Sequence, residues 1–86
     1  METVKVCFSS TEEIRSYLDL AEGFLYNMDL QCGSRIVDGK SVLGILSFGL
    51  RKTLELRFHT DDRTAISQFL ERIAFCIIND NMEMAI

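Results

Sequence analysis

The sequence contains no proline and a single histidine, His59, among its 86 residues. With one histidine, a Cys/His zinc site of the usual composition cannot be assembled. The three cysteines, Cys7, Cys32 and Cys76, are odd in number and widely spaced, and they include no CxxC pair of the kind zinc sites use. They read as small apolar side chains in a reducing compartment, with a metal or redox role as the alternative. Cys7 and Cys32 are candidates for neighbouring strands. No apolar run approaches the roughly 20 residues that span a bilayer, and Met1-Glu2-Thr3 does not open a signal peptide. A cytoplasmic location without membrane insertion is therefore expected. Positive charge is also scarce: 9 Lys and Arg face 13 Asp and Glu, a formal net charge of −4. Without a basic stripe to neutralise phosphates, nucleic acid is not an expected partner. Paired carboxylates, a Cys/His pair and a phosphate-cradling glycine loop are all missing, so no enzymatic activity, cofactor or metal is expected.

What remains is an ordinary globular composition, 48% hydrophobic and 26% charged. At this length it forms one domain, residues 1–86, with one thin core. Residues 3–8 alternate, with Val4, Val6 and Phe8 on one face, which is strand periodicity. Ser10-Thr11-Glu12-Glu13 then fits a capping box, in which Ser10 accepts from the Glu13 amide and the Glu13 carboxylate reaches back to Ser10. The helix that follows places Ile14, Tyr17, Leu18, Ala21, Phe24 and Leu25 on its apolar face.

Strand character returns at Met28, Leu30 and Cys32. Gly33-Ser34 is a hairpin turn, and Ile36 and Val37 belong to the returning strand. Asp38-Gly39 breaks the pattern again. The apolar run that follows is a short helix capped by Ser41 and stopped at Gly49. Residues 53–60 alternate once more, pointing Leu54, Leu56 and Phe58 inward and Glu55, Arg57 and His59 outward. Thr60 or Asp61 caps a last helix with Ile66, Phe69, Leu70, Ile73, Ala74 and Ile77 as its stripe, ended by Asn79-Asp80-Asn81. Residues 82–86 carry no pattern. The order β-α-β-β-α-β-α defines an α+β fold, a two-layer open-faced β-sandwich whose four-stranded sheet has its helices on one face.

The segment Gly39-Lys40-Ser41-Val42-Leu43-Gly44-Ile45-Leu46-Ser47-Phe48-Gly49 resembles the histidine-containing phosphocarrier protein family, HPr, around its short second helix. The element order is that family's order over essentially the whole chain. The resemblance implies a role beside the phosphoenolpyruvate-dependent sugar phosphotransferase system of bacteria. It also implies protein partners: enzymes of that system, a serine kinase or a transcriptional regulator. Family members carry Gly-[Leu/Ile]-His-Ala-Arg-Pro-Ala between the first strand and the first helix, and that histidine accepts the phosphoryl group. Here Ser10 stands near the histidine position and Glu12 near the arginine. The nucleophilic imidazole is missing, so carriage through histidine is not expected.

By the same resemblance, Ser41 aligns with a serine that some members have phosphorylated by an ATP-dependent kinase. A plain N-cap accounts for a serine there equally well. Val42, Leu43 and Leu46 align with the apolar side chains that dock partners, and the alternative is a more deeply buried helix. Asp19 and Glu22 stand near positions where the family presents bases to acidic partners, and Arg15 is the only base of that helix. His59 reads as a partly exposed surface residue, with Asp61 or Asp62 the nearest carboxylates in sequence. The expectation is a regulatory or binding relative that is not a carrier. The alternatives are a carrier that uses another residue, Ser10 or His59, and a structural or dimerising module.

Overall fold

The alternation at the N-terminal end produces a first strand, β1 (Thr3–Val6), that stops before the alternation itself does. The structure is a computed structural model and describes residues 2–78. After β1 come helix α1 (Thr11–Glu22), strands β2 (Met28–Cys32) and β3 (Arg35–Asp38), and helix α2 (Val42–Phe48). Strand β4 (Leu54–Phe58), helix α3 (Arg63–Arg72) and a 3-10 turn (Ala74–Cys76) complete the described chain. The sheet order is β1-β4-β2-β3, and every neighbouring pair is antiparallel. Leu56 is the hub of the register: it lies opposite Val4 of β1 and opposite Leu30 of β2.

Period-two alternation puts Val6, Leu30, Leu54, Leu56 and Phe58 on one face of the sheet, where all are buried. Tyr17, Ala21, Ile45, Ile66, Phe69 and Ile73 cover that face from the helical layer. Each large side chain in this layer contributes about 1.5–3 kcal/mol by leaving water. The opposite face carries Thr3, Glu55 and His59, all exposed, with Asp29 and Gln31 half-buried beside them. The result is the α+β open-faced sandwich expected, with the helices on one side.

Four local expectations are corrected. α1 ends at Glu22 with Gly23 as its C-cap, so the helical spacing no longer applies beyond it. Phe24 turns inward, its ring 4.9 Å from that of Phe69 and 5.5 Å from that of Phe58, while Leu25 points into solvent at 83% exposure. α3 stops at Arg72, short of Ile77, because the chain turns there and joins the sheet edge. Ile77 bridges Val6, and Ile78 donates to the Lys5 carbonyl at 2.9 Å. The last helix is capped by Asp62, whose Oδ1 accepts from the Ala65 amide at 3.1 Å, rather than by Thr60 or Asp61. Cys7 and Cys32 do not share neighbouring strands, since β4 lies between β1 and β2. It is the Cys7 amide that meets Cys76, donating to its carbonyl at 2.8 Å. The expected stop at Asn79-Asp80-Asn81 and the tail 82–86 lie outside the described residues.

Candidate functional site

α2 is seven residues long, and six of them are apolar or glycine. A helix that short and apolar cannot bury all of itself against one layer. Ile45 and Phe48 go into the core, while Val42, Leu43 and Leu46 stay 52%, 80% and 47% exposed. Leu50, just past the helix, extends this ridge. Scattered exposed leucines need no explanation, but contiguous ones on a single turn of helix form the kind of patch that proteins use for contact.

Both ends of α2 are fastened. Ser41 is its N-cap, with Oγ accepting from the Gly44 amide at 3.1 Å. The turn ahead of it is set by Asp38, whose Oδ1 accepts from the Lys40 amide at 2.9 Å. Beneath that turn, the buried Tyr17 hydroxyl donates to the Gly39 carbonyl at 2.8 Å. Burial pushes the Tyr17 phenol well above its usual value, with Cys76 and Asp38 adding to the shift, so it stays a donor. At the other end Gly49 adopts φ 84°, a left-handed conformation that stops the helix. Arg51 follows at φ 61° and donates its amide to the Phe8 carbonyl at 2.8 Å. Gly44 allows close approach to the sheet: a Cβ added there would lie 2.8 Å from the Cβ of Val37. The Arg35 guanidinium sits 5.1 Å over the Phe48 ring and donates to Ser47 Oγ at 2.8 Å, locking the β3 side.

On its other side α2 faces α1 across a groove of about 380 Å³. Val42 and Leu46 form one wall, and Ile14, Leu18, Asp19 and Glu22 form the other, with Arg15 and Lys40 at the rim. Two of the expected contact residues thus share one groove, and Leu43 crowns the ridge outside it. The sequence marks Arg15 as the one base of the first helix and Leu18 as part of its apolar face, but not Lys40 as a member of this groove. A seven-residue apolar helix beside an amphipathic one is the signal that marks its position.

The start of α1 is closed by the chain's own side chains. Ser10 is the N-cap, accepting from the Glu13 amide at 3.2 Å. The Glu13 carboxylate does not return to the Ser10 amide as expected; its Oε1 takes the Ser9 N–H at 2.8 Å, one residue earlier. The Ser9 and Glu13 amides are therefore occupied, and Glu12 and Glu13 add negative charge that disfavours an anion at this helix start. His59 lies on the outer face of the sheet. Its partner there is Asp29 of β2, Nε2 to Oδ2 at 2.6 Å, rather than Asp61 or Asp62.

Cys76 is buried within the core. Burial raises the Cys76 thiol to about 12, with the Glu13 charge adding to it, and its Sγ donates to the Ile73 carbonyl at 3.2 Å. Among the described residues no group of three or more His, Cys, Asp or Glu is placed to hold a metal ion, and no helix is long and apolar enough to cross a membrane.

A four-stranded antiparallel sheet with three helices on one face, and a short apolar second helix, defines a small open-faced α+β sandwich. Within that class the fold is that of HPr. The crystal structure of HPr-C-His from Thermoanaerobacter tengcongensis superposes with a TM-score of 0.69 at 21% identity, covering 86% of this chain and 92% of that one. The phosphocarrier protein HPr from Bacillus anthracis str. Ames superposes with a TM-score of 0.64 at 15% identity, covering 83% and 94%. No family model matches the sequence, and no curated protein matches it.

Proposed function

We propose that this chain is an HPr-like binding or regulatory module of the sugar phosphotransferase system that does not carry phosphoryl groups on histidine. It docks a protein partner through Val42, Leu43 and Leu46, and Ser41 is its regulatory phosphorylation site. The observation that carries this reading is the exposed apolar ridge on α2, held rigid at both ends on an HPr fold. A second set of contacts bears on carriage. A phosphoryl group at the start of α1 requires a nucleophile and unfilled donors. At that place the chain has a capping serine and a glutamate that already occupies the Ser9 amide. The only histidine sits on the other face of the sheet, engaged with Asp29.

A phosphate on Ser41 would add about −1.5 to −2 charge next to Val42 and Asp38 and alter what the ridge accepts. The groove wall also carries Asp19 and Glu22, so an acidic partner is repelled at that rim, and a partner with basic or neutral groups there is favoured. No independent enzymatic activity is proposed.

The test is intact mass after two incubations of the full chain, one with phosphoenolpyruvate and the first enzyme of the system, the other with ATP and the system's serine kinase. The expected result is a single phosphate from ATP only, lost in Ser41→Ala. An acid-labile phosphate in the first tube would overturn the non-carrier reading, and no gain in the second would overturn the role of Ser41.

A further inference from the structure

We infer that the α2 face is a self-complementary contact surface for a second copy of this chain, with the two α2 helices antiparallel across a two-fold axis. The inference rests on the reading of this face as a protein-docking surface and names the partner.

Two hydrogen bonds set the geometry. The Lys40 ammonium, just before α2, donates to the carbonyl of Phe24, just after α1, at 2.7 Å. The Arg51 amide, just after α2, donates to the carbonyl of Phe8, just before α1, at 2.8 Å. α1 and α2 therefore run antiparallel, and each end of the ridge has its own charge. Beside the N-terminal end of α2 stand Asp19 and Glu22 on the groove wall and the exposed Asp38. Lys40, whose ammonium is held on the Phe24 carbonyl, offsets one of these three acidic charges. Beside the C-terminal end stand the exposed Arg51 and Lys52, with Arg15 and Arg35 nearby. Glu12 and Glu13 offset them only in part, two acidic groups against four basic ones.

The ridge is thus apolar in the middle, acidic at one end and basic at the other. A partner of one sign would be attracted at one end and repelled at the other. A second copy turned by a two-fold axis through Leu43 and Leu46 meets neither problem. Its leucines face leucines, and its Arg51 and Lys52 fall opposite Asp19 and Glu22, once on each side of the axis. The contact is small, so the dimer belongs to the weak, reversible class and competes with other occupants of the same ridge.

Sedimentation velocity of the full chain, from low micromolar to millimolar concentration, tests this with two charge-reversed variants, D19K/E22K and R51E/K52E. These positions are exposed, and circular dichroism checks that both variants fold. Expected for the native chain is a reversible dimer that weakens with added salt. Each variant alone, now of one sign at both ends, associates at least about tenfold more weakly, and an equimolar mixture of the two associates again as a heterodimer. Leu43→Glu, at an 80% exposed position, abolishes the dimer without unfolding the chain. A native chain that stays monomeric at millimolar concentration overturns the inference, and so does a dimer indifferent to both reversals or a mixture no stronger than its components. Binding of a phosphotransferase protein is measured separately on the dilute chain. Binding there without self-association removes only the dimer; absence of both removes the docking surface as well.

Discussion

Gly44 of α2 and Val37 of β3 touch so closely that a methyl group on the glycine would fall 2.8 Å from the valine Cβ. Alanine is the better helix former by about 1 kcal/mol, which favours the substitution. Overpacking against a β-branched side chain costs about 1–3 kcal/mol and opposes it. The clash wins: Gly44→Ala is expected to lower stability by about 1 kcal/mol and to lift α2 off the sheet. Urea unfolding measures the first effect. Increased hydrogen exchange at the Gly44 and Ile45 amides reports the second. A variant more stable than the native chain would show that Val37 yields.

Ser41→Ala removes the acceptor of the Gly44 amide. A lost serine cap costs about 1 kcal/mol, so the urea midpoint falls modestly while the ridge residues keep their exposure. Ser41→Thr, which retains an acceptor, is expected to recover most of the loss. Equal destabilisation by both would mean that the cap bond contributes nothing.

Stability is expected to decline at alkaline pH. Burial holds the Tyr17 phenol above its ordinary value of 10.0 and raises the Cys76 thiol from 9.0 to about 12. The unfolded chain therefore releases these protons first. Their contribution is intact below pH 9 and is lost as pH rises from there through 12. Urea midpoints taken from pH 8 upward should fall, and less steeply in Cys76→Ala. A flat profile would mean that these side chains become hydrated in the native state.

His59 and Asp29 form a pair whose side chains are 38% and 33% exposed, on the face of the sheet away from α2. Pairs that exposed contribute less than about 1 kcal/mol. His59→Ala is expected to change the urea midpoint slightly and to leave partner binding unchanged, whereas Leu46→Glu removes binding at little cost in stability. Loss of binding in His59→Ala would relocate the site to the outer face.

Much of this architecture was legible in the sequence because it is local. The alternation of Leu54, Leu56 and Phe58, the cap at Ser41 and the stop at Gly49 each depend on a few adjacent residues. Features that depend on distant segments were not legible. Ile73 and Ile77 keep helical spacing, yet Ile77 finds a better partner in Val6 at the sheet edge, which no periodicity reveals. The separation of Cys7 from Cys32 follows from β4 inserting between β1 and β2. Along the chain His59 has Asp61 and Asp62 as its neighbours, but the register of β2 on β4 supplies Asp29. At the ridge, apolar composition was readable from Val42 and Leu46. The charge at its two ends was not, because Arg51 reaches the start of α1 through one backbone bond to Phe8.

The interlocked start of α1 has a consequence for mutational routes. Replacing Ser10 by histidine removes the oxygen that holds the Glu13 amide, so the change damages the helix before it creates a nucleophile. Replacing Glu13 first frees the Ser9 amide but leaves nothing to use it. Each single replacement is a loss on its own, because each bond holds one half of the same interlock. Such an arrangement works as a ratchet: with both side chains in place, any replacement at this helix start passes through a less stable protein.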